Sequence, residues 1–489
     1  MNIFVIDIGT SSMRGILFDS RGKRLGEKQV KYQPDKYPDG RIEQDPRDWT
    51  NSLETIASAV AEEAKQKGIS IDAVAVTAQR SAILPVDKQG KPLMNTIMWQ
   101  DRRNKEICAE LEPYNELVFQ KSGAKINTVF SGSRMAWILR NRPDLQGKIH
   151  KLVNIPEYVM HHMTGEYRTD ATYGSRSHLM NLRERRWDQE LLKLFGVEEE
   201  FLCEIQEPGS CCGRVQASFS RGTGLPQGIP VISAGGDQQC AAVGQGAFCQ
   251  GNLSLVAGTG GFLVAALDEV PENLSPDLIC NCSSVSGKYI VEANVLTCCS
   301  AFDWYCRNFY DWDQPDYEKL NEELRDWDGK ISSAMVLPYF QGRSTPQWNP
   351  EAKAYLGEIT LATGRTELLK GLLEGIAMEI QNNIRLFGSY AKISQAYISG
   401  GLTKSPAINQ LQADVYGIPL YRMSDSESTA LGALMVALVG LGEYPSLEEA
   451  FGAVRAGEKV DCFRPRMELH EQYANKRAAM NRIYRQLYT

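Results

Sequence analysis

No stretch of eighteen apolar residues occurs in the 489-residue chain, so nothing in it reads as a membrane-spanning helix. Positive charge is also scarce. Lys and Arg number 53 against 60 Asp and Glu, a formal charge of −7, and no basic cluster stands out. Nucleic-acid binding needs Lys and Arg gathered on one face, so a nucleic-acid partner is not expected. The first residues, Met1 to Asp7, carry no basic n-region, which predicts a cytoplasmic protein. Twelve cysteines are present, but none has C-x-x-C spacing, and a reducing compartment predicts buried free thiols. His161 and His162 are adjacent and would point apart on a helix, which argues against a metal pair. There is no G-x-x-x-x-G-K and no G-x-G-x-x-G after a strand, which excludes a P-loop and an obvious dinucleotide fold.

What is present is an ordinary globular balance, 43% hydrophobic and 23% charged, over a length that implies two domains. Residues 3–8 are an apolar run ending in Asp7-Ile8-Gly9-Thr10-Ser11-Ser12. A second run, 13–18, follows, and the pattern predicts a hairpin with a glycine-hydroxyl turn. Residues 253–257, Gly258-Thr259-Gly260-Gly261 and 262–266 repeat it about half a chain later. Between them, 230–234 reads as a strand ending in Gly235-Gly236-Asp237. Residues 396–399 form another, meeting Gly400-Gly401. Helices are expected over 46–64, 103–111, 131–140, 156–163, 238–243, 366–386, 405–416, 428–439 and 468–487. Strands alternating with helices give an α/β class, divided as 1–246 and 247–489.

Glycine turns let backbone amides close on a phosphate, and the hydroxyls of Thr10, Ser11, Ser12 and Thr259 add donors. Asp7 closes a buried strand, where a carboxylate is costly unless a cation such as Mg²⁺ needs it; a turn-capping role is the alternative. Asp237 is either a base that takes a proton from an attacking hydroxyl or an N-cap.

Together these motifs resemble the FGGY family of carbohydrate kinases, nearly end to end. The carriers are Asp7 to Ser12, Gln79-Arg80, Trp99-Gln100-Asp101-Arg102-Arg103, Gly235 to Gln239 and Gly258-Thr259-Gly260. Downstream carriers are Leu337 to Phe340 with Pro346 to Pro350, Ser399-Gly400-Gly401 and Thr429 to Ala433. The resemblance implies an actin-like fold, with two ribonuclease-H-like domains around a cleft. It implies ATP and Mg²⁺ as cofactors and a small sugar or polyol as acceptor, with a homodimer as the oligomer. Thr10, Ser11, Ser12, Arg14, Gly258 and Thr259 would meet the phosphates; Gly400, Gly401 and Ser405 the adenosine side. Arg80, Ser81, Trp99, Asp237 and Gln238 would meet the acceptor. Asp237 would be the base, and Asp7 the metal-linked carboxylate. Where glycerol kinases carry Arg-Glu, this chain has Arg80-Ser81. The lost carboxylate and the smaller residues Ser81 and Val129 favour a ketopentose or pentitol, with glycerol and an autoinducer-2 precursor as alternatives. An actin-like ATPase acting as chaperone or filament would share the turns but has no use for Arg80, Trp99 and Gln238.

Overall fold

The computed structural model describes residues 1–310, 312–424 and 427–488. Two large sheets organise them. The strand Asn2–Ile8 lies inside the first, and its apolar run is continuous because both faces are covered. Phe4, Ile6 and Ile8 share one core with Trp49, Leu53, Ile56 and Val60 of the helix Arg47–Gln66. Ile3 and Val5 point the other way, into a core with Leu431, Leu434 and Leu438 of the helix Ser428–Gly440. Asp7 shares that second face by alternation.

The strands Ser12–Asp19 and Arg24–Lys31 continue the first sheet antiparallel. On its other side, Ala73–Ala78 and Pro230–Gly236 run parallel to Asn2–Ile8, and Cys211–Arg214 closes the edge antiparallel. The second sheet repeats the plan. Asn252–Ala257, Gln395–Ser399 and Leu420–Met423 are its parallel trio. Gly261–Leu267, Tyr289–Val295 and Ile279–Cys282 extend it antiparallel on one side, and Val460–Phe463 closes the other edge. The repeated glycine-threonine hairpin is therefore the sequence trace of a repeated sheet.

Two helices on the first sheet cross closely. A Cβ on Gly244 would lie 1.8 Å from the Ser428 carbonyl oxygen, and one on Gly432 would lie 1.8 Å from that of Cys240. Only glycine at both positions lets the helix Asp237–Gln245 meet Ser428–Gly440 at this distance. The segment 428–454 thus packs on the first sheet, although it follows most of the second sheet's strands in sequence.

A further five-stranded sheet was not legible in the sequence. It joins Asp35–Lys36, Ile42–Gln44, Thr96–Ile97, Ile83–Val86 and Lys151–Asn154, strands of two to four residues that are too short to show a period. It carries Arg80 and Trp99 on the loops at its margin. All twelve cysteines are free. Among the described residues no helix is long and apolar enough to cross a membrane.

Candidate active site

The chemistry-bearing residues follow the carboxyl ends of the parallel strands, where open α/β sheets place their ligands. Ile8 is level with Ala78, and Ala78 with Gly236, so the Gly9 turn, Gln79-Arg80 and Asp237 emerge side by side. In the second sheet Val256 is level with Ser399, which brings the Gly258 and Gly400 turns together.

The first turn is held from within. Gly9 N donates to the Ser12 carbonyl at 2.9 Å. Gln79 Nε2 and the Tyr32 hydroxyl donate to the Gly9 carbonyl at 3.2 and 2.9 Å. Thr10 donates to Gln79 Oε1 at 3.1 Å and accepts from Trp99 Nε1 at 3.2 Å, tying the turn to the Trp99 loop. Ser12 accepts from Gln29, whereas Ser11 is exposed at the tip. Arg14 pairs with Glu27 at 3.0 Å and with Glu427 at 2.6 Å, so its guanidinium is already engaged by carboxylates.

Asp237 opens the helix Asp237–Gln245. Its Oδ1 accepts from Gln238 N at 2.7 Å and lies 3.6 Å from Arg80 Nε. Its side chain keeps 30% exposure, enough for an acceptor to reach it. Burial holds its pKa above the carboxylate range, and Arg80 opposes that rise. Asp7 is pushed up to about 7 by burial and by the charges of Asp237 and Glu427, with Arg14 working against them.

Arg80 reaches across the halves. Its Nη1 donates to Glu292 Oε1 at 2.9 Å, and Arg176 Nη1 donates to Glu292 Oε2 at 3.3 Å. Asn281 Nδ2 adds a bond to Oε1 at 2.9 Å. Glu292 is opposite Val264 in the second sheet and Asn294 is opposite Phe262, so Phe262 shares the Glu292 face, nearer the Gly258 turn. Phe262 is 51% exposed, an aromatic surface at the mouth of the site.

The Gly258 turn docks on the start of the helix Cys299–Phe309. The Thr259 carbonyl accepts from Cys298 N at 2.9 Å and from the Ser300 hydroxyl at 2.9 Å. Cys299 Sγ donates to the Ala257 carbonyl at 3.2 Å and packs against Gly401. Gly400 has φ +98°, and a Cβ there would lie 2.3 Å from the Ala257 carbonyl oxygen, so the turn needs glycine.

The description of the N-terminal domain of the FGGY family of carbohydrate kinases matches residues 2–244, and that of its C-terminal domain matches 253–441. The chain belongs to this family. A glycerol kinase of Thermococcus onnurineus is 33% identical over 468 residues, 94% of this chain and 92% of that protein. A xylulose kinase of Rhodospirillum rubrum has a TM-score of 0.92 at 21% identity, covering 100% of this chain and 99% of the other. A Plasmodium falciparum glycerol kinase with ADP has a TM-score of 0.91 at 24% identity, covering 100% and 98%. The fold of this FGGY kinase is the actin-like ATPase fold, as expected.

Within the kinase, Asp7, Thr10, Ser11, Arg80, Trp99, Asp237, Gln238, Gly258, Thr259, Gly400 and Gly401 stand at the strand ends. Two of the expected residues are buried. Ser81 is only 2% exposed, has a positive φ of 71°, and its hydroxyl meets the Arg176 carbonyl at 3.5 Å. Ser405 is buried; its hydroxyl caps the helix Pro406–Tyr416 at Ile408 N and donates to Asn321 Oδ1.

The sequence reading missed Arg176, Glu292, Phe262, Cys299 and Arg134. The last is buried at 0% exposure and donates to the carbonyls of Ser81, Trp99, Asp101, Thr128 and Val129 at 2.5–3.3 Å. Burial lowers its pKa to about 9. It stitches the acceptor-side loops together, and no local pattern announces it because its partners are backbone atoms. The signal for Cys299 was available: another strand-turn-helix junction follows the strand Tyr289–Val295.

Proposed function

We propose that this kinase transfers the γ-phosphate of ATP to a terminal hydroxyl of glycerol or a polyol of similar size. The observation that carries this reading is the Arg80–Glu292–Arg176 cluster against Asp237. The preference for a ketopentose or pentitol rested on a missing carboxylate and on the small residues Ser81 and Val129. Arg80 has a carboxylate partner in Glu292, and Ser81 is buried with its hydroxyl toward the Arg176 carbonyl. The argument for a larger acceptor loses its footing, and the curated glycerol kinases to which the chain is similar support the smaller one.

In this reading Arg80, Trp99 and Gln238 orient the acceptor, while Phe262 covers its carbon skeleton. Asp237 takes the proton of the attacking hydroxyl; its raised pKa brings it nearer to a working base. Amides and hydroxyls of the Gly9 and Gly258 turns face the phosphates. Asp7 fits a Mg²⁺ site: among the described residues it has no cationic partner at ion-pair distance, and the carboxylates of Asp237 and Glu427 act on it more strongly than Arg14 does. No group of three His, Cys, Asp or Glu able to hold a metal occurs among the described residues, so the cation would arrive with the nucleotide. Bound there, Mg²⁺ would draw charge from the phosphoryl oxygens.

The test is coupled ADP release with Mg-ATP against glycerol, erythritol, xylitol, D- and L-xylulose, D- and L-ribulose and gluconate. The highest kcat/KM should belong to glycerol. A clear preference for a ketopentose would overturn the acceptor assignment, and silence on every acceptor would overturn the reading itself.

A further inference from the structure

A second concave site lies in the C-terminal half, and none of its lining residues belongs to the cleft. The end of the helix Arg365–Phe387, the helix Met467–Tyr488 and the segment 343–347 enclose a cavity of about 320 Å³. Arg343, Gln347, Asn382, Arg385, Arg477 and Asn481 line it, and no Asp or Glu does. That is unusual in a chain with more carboxylates than cations.

The cluster is ordered but not neutralised. Arg343 is held by Glu379 at 2.7 Å and touches Gln347 at 3.1 Å. Glu379 is already taken, since the Tyr339 hydroxyl and Asn382 also donate to it at 3.1 and 2.9 Å. Arg477 donates to Asn382 Oδ1 at 3.0 Å, and Asn481 donates to the same oxygen at 3.1 Å. Neither Arg385 nor Arg477 has a carboxylate partner among the described residues. Burial and the neighbouring Arg385 charge hold Arg477 below its ordinary range, so the two guanidinium groups repel one another.

Two forked guanidinium groups beside side-chain amides are a donor set for the oxygens of a phosphate, which they can bind in pairs. The volume stands at the lower end of small-molecule sites, about 300–1,000 Å³. It admits a small phosphate ester and not a protein segment. We propose that this cavity is a binding site for a small phosphate-bearing metabolite, distinct from the catalytic cleft.

Calorimetric titration with inorganic pyrophosphate tests this at constant ionic strength, with ADP saturating the cleft. One saturable site is expected in the wild type. Arg385→Gln/Arg477→Gln should weaken it by about tenfold or more, the loss of two charge-assisted contacts, while kcat stays unchanged. Arg477 also holds Asn382, so Arg385→Gln alone, at an exposed position, is the second variant and should weaken binding without lowering Tm. Arg186→Gln, a surface arginine paired with Glu184, should leave binding intact. Absence of a saturable site in the wild type, or equal affinity in the double variant, would overturn the proposal.

Discussion

Replacing Glu292 with Gln isolates the cluster that joins the two halves. The carboxylate accepts from Arg80, Arg176 and Asn281, and the side chains of the ion pairs are only 10%, 9% and 16% exposed. Removing one partner from a buried pair costs about 3–5 kcal/mol, because the remaining charge is left uncompensated. Here two guanidinium groups lose their anion, so the upper part of that range is expected. For a domain of this size 1 kcal/mol moves Tm by roughly 2–4 °C, which predicts a fall of roughly 10 °C or more. The functional effect has a definite sign. The Glu292 charge is one of the causes that raise the Asp237 pKa. Its removal lowers that pKa, and the acid limb of the kcat/KM profile should move to lower pH even as the acceptor KM rises through the loosened Arg80. Thermal melts and a pH profile measure both. A Tm change under 2 °C, or an acid limb that stays put or moves up, would refute the assignment of Glu292 as the anchor of both arginines.

Two further outcomes follow from the same structure. The folded pKa of Asp7, about 7, lies above its usual 3.8, so the stability it contributes is full below about pH 4 and lost as pH rises through about 7. At about 1.4 kcal/mol for each pH unit, the ceiling is about 4 kcal/mol. Asp7→Asn should therefore melt higher than wild type at pH 8 without ligands, with the gap closing below pH 4, while Mg-ATP turnover falls; melts across pH check it, and a pH-independent gap would contradict it. Gly432→Ala places a Cβ 1.8 Å from the Cys240 carbonyl oxygen and must part the two crossing helices. It should cost about 1–3 kcal/mol or more and lower kcat, since the partner helix carries Asp237; an unchanged Tm would show that the crossing yields easily.

The chain announced its long periodic elements well. The helix expected over 366–386 is Arg365–Phe387, and the strand expected over 253–257 is Asn252–Ala257. Strand-end turns were legible because glycine, hydroxyl and aspartate sit together in sequence. What sequence could not give is long-range partnership. Glu292 lies more than 200 positions from Arg80, and only the register of the second sheet brings them together. Ser81 was assigned from its place where glycerol kinases carry Glu, and its burial and positive φ were not legible in that comparison. The Gly244–Gly432 crossing was silent too, since an isolated glycine in a helix says nothing about what approaches it.

The most direct measurement is single-turnover phosphoryl transfer by Asp237→Asn, with ATP binding measured alongside. Asn keeps the size and the hydrogen-bonding oxygen but cannot take the acceptor proton. The account predicts a loss of roughly 10²–10⁴ in rate with ATP affinity retained. A rate near wild type would show that Asp237 is not the base and would contradict the mechanism built around it.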